Sequence, residues 1–266
     1  MRVLFLGDIV GDTGREAVET YLAKTLEVWN PGLVIANGEN AAAGRGMTRK
    51  IAERLFDLGI DIFTMGNHVW DNKDIFSFID EDRRIVRPAN YPEGTPGRGY
   101  TLVPVGGKTV AVINVMGRAF MGDYGCPFRK LDEILHEIES ITTCVVVDVH
   151  AETTSEKLAI GWYLSGRVSA VLGTHTHVQT ADERVLSGGT AYLTDVGMVG
   201  AADGVLGMRK DQAIQKFLTL MPVRFEVATG ALQFCAVVVD IDQHGRAQRI
   251  ERIRYVNEDL PKRNGY

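Results

Sequence analysis

No apolar run in the 266-residue chain approaches the ~18 residues that a membrane-spanning helix needs. The stretch after Met1, Arg2-Val3-Leu4-Phe5-Leu6, reaches the polar Asp8 too soon for a signal peptide. Cysteine is scarce. Cys126, Cys144 and Cys235 are odd in number and lack CxxC spacing, which argues against a disulfide framework and a zinc ribbon. These absences predict a reduced, cytoplasmic protein. There is no basic excess either: 29 Lys and Arg stand against 34 Asp and Glu, for a net charge of −5. That disfavours a broad nucleic-acid footprint but leaves room for a small nucleotide in a locally positive site. A GxSxG elbow is missing, so a serine hydrolase has no support. Gly7, Gly11 and Gly14 do not have GxGxxG spacing, and Asp8 would stand where a dinucleotide pyrophosphate should sit. What remains is ordinary for a globular chain with a sizeable core: 45% hydrophobic and 24% charged residues.

Apolar runs and turn residues then divide the chain. Val3–Leu6, Leu33–Ala36, Asp61–Met65, Thr109–Val115, Cys144–Val149, Val168–Leu172 and Thr190–Leu193 read as buried strands. Helices are expected after Gly14, from about Thr48 to Leu58, after Pro127, and from about Ser155 to Leu164. Asp12 or Thr13 would cap the first and Thr48 the second. Alternation of this kind implies right-handed crossovers and parallel pairing. Residues 87–107 suggest a loop with an irregular hairpin, and 116–126 and 197–208 are glycine-rich loops. Arg118, Phe120 and Tyr124 of the first could contact phosphate or stack on a base. The second reads as a lid or an oligomer interface. Phe225–Val227, Ala231–Ile241 and Ala247–Tyr255 look like antiparallel strands. With no repeat or linker in view, residues 1–266 read as one domain.

Five predicted strands run out into potential ligands: Asp8, Glu39-Asn40, Asn67-His68, His150, and His175 with His177 in Gly173-Thr174-His175-Thr176-His177. Taken singly, each has an ordinary reading, such as Asp8 as a turn cap or His150 as a satisfied core histidine. Taken together they converge, because the carboxyl ends of parallel strands lie along one crevice. A mixed set of carboxylate, amide and imidazole donors suits Mn, Fe, Zn or Co better than a calcium cage. The set is too large for one tetrahedral zinc and about right for two ions roughly 3.5–4 Å apart. Glu39 is the candidate bridging carboxylate.

Gly7-Asp8, Gly66-Asn67-His68, His150 and Gly173-Thr174-His175-Thr176-His177 resemble the ordered motifs of the calcineurin-like metallophosphoesterases. Three positions depart from the superfamily's usual pattern: Val10 for a histidine, Glu39-Asn40 for the second aspartate, and Val69 after His68 for an acidic residue. These departures resemble those of one branch, the bacterial YmdB-like phosphodiesterases, and the likeness extends over essentially the whole chain. It implies an α/β sandwich of two central mixed β-sheets flanked by helices. One ion would take Asp8, Glu39, Asn40 and His177, with Asn40 compensating for the histidine absent at Val10. The other would take Glu39, Asn67, His150 and His175. His68 would stand outside as general acid, oriented by Asp71 or a backbone carbonyl in place of the usual acidic neighbour.

The implied activity is dinuclear-metal hydrolysis of small cyclic nucleotides, 2′,3′-cyclic ones first and 3′,5′-cyclic AMP next, through a metal-bridging hydroxide. Iron or manganese is the expected metal, with zinc, cobalt or magnesium as options. Two divalent ions set against Asp8, Glu39 and a hydroxide leave a charge of about +1, enough to draw in a phosphodiester monoanion. A homo-oligomer is expected, with no membrane partner. The competing readings are a phosphomonoesterase or protein phosphatase, and a metal-binding regulator with little turnover.

Overall fold

The computed structural model describes residues 1–257. In chain order the strands are β1 (Arg2–Ile9), β2 (Leu33–Asn37), β3 (Ile62–Thr64), β4 (Ile85–Val86), β5 (Tyr100–Val105), β6 (Lys108–Met116), β7 (Cys144–His150), β8 (Ala170–Thr174), β9 (Arg184–Val185), β10 (Ala191–Leu193), β11 (Met198–Ala201), β12 (Gly204–Val205), β13 (Met208–Arg209), β14 (Leu232–Ile241) and β15 (Ala247–Val256). The helices are α1 (Gly11–Trp29), α2 (Arg49–Asp57), α3 (Pro127–Ile138), α4 (Thr154–Tyr163) and α5 (Lys210–Thr219). Among the described residues, no helix is long and apolar enough to cross a membrane.

Two mixed sheets pack face to face. One has the order β15-β14-β11-β1-β2-β3-β4 and the other β5-β6-β7-β8-β10-β9. Strands buried on both faces read as continuous apolar runs, as Val3–Leu6 and Val145–Val147 do. The layer between the sheets is built from short and β-branched side chains such as Val3, Ile35, Val112, Val146 and Val237. Outside the first sheet, α1 and α2 close a core around Leu4, Tyr21, Phe63 and Phe234. On the far face of the second sheet, α3 and α4 cover Ile113, Val147 and Val171. Four layers result.

Sequence periodicity placed most of these elements, and the exceptions have local causes. Thr48 caps α2 by accepting from Ile51 N at 3.3 Å, as expected. Neither Asp12 nor Thr13 caps α1: the helix begins at Gly11, and Thr13 Oγ1 instead donates to Ala228 O at 2.7 Å. The loop expected over 197–208 is in large part strand. Met198–Ala201 is buried β11, parallel to β1 and antiparallel to β14. Its small residues look like loop in sequence because β11 lies under α1, where Val199 O already stands within overlap distance of a Cβ at Gly14. Phe225–Val227 is no strand beyond a single bridge from Val227 to Met208. Helix α5 was not among the expected elements, although Ile214, Phe217 and Leu218 have helical spacing. It is largely exposed and has no side-chain cap.

Candidate metal centre

Strand β1 changes partner at Gly7. Arg2–Leu6 pair with β14, whereas Asp8 and Ile9 pair with β11. The switch brings Gly197 O so close to Gly7 that a Cβ there would overlap it, and Asp8 N donates to that oxygen at 3.1 Å. Asp8 is therefore held within the last two residues of β1 and is fully buried. Beyond β2, Asn37 Oδ1 accepts from Glu39 N at 3.1 Å and starts the turn that carries Glu39 and Asn40. Asn40 Nδ2 donates to Gly44 O at 3.0 Å, which leaves its Oδ1 facing away. Asn67 and His68 follow β3, His150 ends β7, and His175 and His177 follow β8. The three elements of the first sheet and the two of the second meet at one edge of the sandwich.

All eight residues singled out from the sequence come to this edge. His150 is the hub. Its Nε2 lies 3.0 Å from Glu39 Oε1, 3.1 Å from Asn67 Oδ1 and 3.1 Å from His175 Nδ1. Donor atoms of Glu39, His150 and His175 all lie within 4.8 Å of one another, a group able to hold a metal ion. Alongside, Asp8 Oδ1 lies 3.8 Å from His177 Nε2 and 4.0 Å from His150 Nδ1. Asp8 Oδ1 and Asn40 Oδ1 are buried oxygens with no hydrogen-bond partner among the described residues. Buried lone pairs without a donor are costly, and a cation is the partner that two such oxygens beside imidazoles would satisfy. The donor chemistry fits divalent metal.

Charge couples these groups tightly to one another. Burial raises the carboxyl of Glu39, but the adjacent His150 outweighs it and holds it at about 2. Burial lowers His150, yet Glu39 and Asp8 bring it up to about 9. Burial and the neighbouring His150 push His175 down to about 3, so its imidazole stays neutral and ready to ligate. Burial also raises Asp8.

His68 stands apart from that group. Its backbone N donates to Glu39 Oε2 at 2.7 Å, while its Nδ1 pairs with Asp71 Oδ2 at 2.9 Å. Of the two stand-ins considered for the missing acidic neighbour, the carboxylate is the one present. The side chain is partly exposed and lines a cavity of about 760 Å³ together with Glu39, Asn40, His175 and His177. Arg118, Phe120 and Tyr124 do not line this cavity, whereas Leu206 and Met208 of the second loop do. Sequence reading missed Glu152, whose carboxylate receives His175 Nε2 at 2.9 Å. It also missed Asp148, two residues before His150 on the same face of β7, a spacing that period-two alternation could have flagged.

Such an edge, two mixed sheets offering buried acids, amides and imidazoles from both, defines a metallophosphoesterase-type sandwich. The YmdB-like protein family model matches residues 4–253, and the chain belongs to that family. It is 54% identical over 260 residues to the 2′,3′-cyclic-nucleotide 2′-phosphodiesterase of Bacillus subtilis (strain 168), covering 97% of this chain and 98% of the relative. Among solved structures, a hypothetical protein from Thermus thermophilus superposes with a TM-score of 0.91 at 43% identity, covering 97% and 100% of the two chains. A novel phosphatase from Mycoplasma pneumoniae gives 0.92 at 32% identity, covering 97% and 94%.

Proposed function

We propose that the protein is a metal-dependent phosphodiesterase that opens 2′,3′-cyclic nucleotides with two divalent ions, iron or manganese. The observation that carries this reading is the side-by-side arrangement of a buried ligand group and a partly exposed His68–Asp71 pair outside it. The Bacillus subtilis relative supports the cyclic diester as the substrate class. One ion would be held by Asp8, Glu39, Asn40 and His177, and the other by Glu39, Asn67, His150 and His175. Bound there, divalent metal supplies Lewis acidity toward phosphoryl oxygens and water activated near neutral pH. Glu39 Oε2 accepts from His68 N, so the ligand and the acid are fixed relative to each other. Asp71 takes up His68 Nδ1 and leaves Nε2 as the proton donor to the departing ribose oxygen. The cavity beside His68 is open to solvent, which would give a nucleotide access to the centre.

The test is hydrolysis of 2′,3′-cyclic AMP by metal-stripped protein before and after addition of Mn²⁺, with His68→Ala in parallel and 3′-AMP as a monoester control. We expect metal-dependent cleavage of the diester over the monoester. His68→Ala should lose roughly 10²–10⁴-fold in turnover while keeping its metal. Turnover unchanged in His68→Ala removes the acid, and faster cleavage of 3′-AMP favours a phosphomonoesterase.

A further inference from the structure

The segment Gly173–His177, the end of β8 and the turn after it, alternates in direction. Its two histidines face the ligand group, and the two threonines that alternate with them face into the protein, each onto a buried carboxylate. Thr174 Oγ1 donates to Asp148 Oδ1 at 2.7 Å and lies 2.8 Å from His150 Nδ1. Thr176 donates to Asp195 Oδ2 from its Oγ1 at 2.7 Å and its N at 3.0 Å. Lys157 on α4 links the two halves, because its Nζ donates to Asp195 Oδ2 and to Thr174 O, both at 2.7 Å. Thr174, Asp148 and Asp195 are fully buried, and Lys157 is 1% exposed.

This backbone needs an anchor. His175 has φ +99° and His177 φ +63°, a region that residues with a Cβ adopt at a cost. Polarity along the first chain is also set. Asp148 Oδ2 already accepts from the amides of Asn37 and Asn114, each at 3.3 Å, so the Thr174 proton points to Oδ1. With that proton committed, Thr174 Oγ1 offers His150 Nδ1 an acceptor, Asn37 Nδ2 lies 3.4 Å from the same nitrogen, and Nε2 is the nitrogen that faces Glu39 and Asn67.

We propose that Thr174 and Thr176 are positioning residues of the metal centre. Their hydroxyls, anchored on Asp148 and on the Lys157–Asp195 pair, hold His175 and His177 in their left-handed backbone and aim His150 through Nε2. This rests on the metal-site reading above. The experiment is Mn²⁺ affinity measured by chelator competition on folded, metal-stripped protein, for Thr174→Val, Thr176→Val and the corresponding serine variants, with thermal melts alongside. Each valine keeps the shape and loses the hydroxyl. Each should weaken Mn²⁺ binding by about 10–100-fold, the usual effect of removing a group that orients a ligand, and serine should restore it. Thr176 is only half-buried, so its valine variant carries the test if Thr174→Val fails to fold. Folded valine variants that bind Mn²⁺ like the wild type overturn the proposal alone. Wild-type protein that binds no Mn²⁺ overturns the metal-site reading beneath it.

Discussion

Gly66 offers a sharp way to perturb the centre without touching a ligand. It precedes Asn67 and His68, and its backbone lies outside the left-handed region, so an alanine meets no conformational penalty there. The penalty is steric. A Cβ at Gly66 would overlap His150 Nε2 and Cδ2 and lie 2.5 Å from Glu39 Oε2, whereas ordinary contact begins near 3.4 Å. The methyl thus intrudes by roughly 1 Å into two of the proposed ligands at once. His150 cannot swing away cheaply, because its other nitrogen is held by Thr174. Metal–ligand distances tolerate only about ±0.2 Å, so a displacement of this size should dismantle the site. Overpacking of this kind costs about 1–3 kcal/mol in stability. At roughly 2–4 °C per kcal/mol, the melting temperature should fall by about 2–12 °C, and the chain should still fold. Gly66→Ala should therefore melt cooperatively yet carry little Mn²⁺ by elemental analysis after gel filtration. Gly200→Ala, where the nearest atom lies at 3.4 Å, is the matched control and should keep its metal. Full metal content in folded Gly66→Ala would refute the packing argument and, with it, the placement of the ligands around His150.

Two further outcomes follow from the same geometry. Asp71→Asn should retain metal and lose part of the roughly 10²–10⁴-fold that a positioned acid contributes, because an amide can no longer hold His68 Nδ1 as a charged acceptor; steady-state turnover of 2′,3′-cyclic AMP reads this, and an unchanged rate would free His68 from Asp71. In metal-stripped protein, His150 sits at about 9, above its ordinary 6.5, through Glu39. A raised imidazole stabilises the fold below its unfolded value and loses that contribution as pH rises through the folded one. Melting temperatures should accordingly decline between pH 6.5 and 9 in the stripped wild type. Glu39→Gln should flatten that slope, and a slope that persists in the variant would assign it elsewhere.

The local signals in the chain were strong where burial is two-sided. Continuous apolar runs marked β1, β2, β7 and β8, and a polar residue directly after such a run marked where a parallel strand delivers chemistry. The meeting of Asp8, Glu39, Asn67, His150, His175 and His177 at one edge could be read for that reason. Met198–Ala201 was not, since Gly and small apolar residues become a strand only once β1, β14 and α1 surround them. The cap of α1 failed on similar grounds. Asp12 and Thr13 have the right composition, but Gly11 starts the helix and Thr13 is claimed by Ala228, 215 residues away.

Residue order by itself determined which side chains could ligate and at which strand ends they would emerge, because strand periodicity and turn chemistry are local properties. Folding alone decided what holds them. That Glu152 receives His175, and that Thr174 and Thr176 reach Asp148 and Asp195, depends on contacts between separate elements, whereas Asp71 receives His68 within a single turn. Lys157 shows the division most plainly. In sequence it is one lysine on a short helix. Packing of α4 against β8 removes it from water, and a buried ammonium must find a carboxylate, which places it beneath the histidine loop.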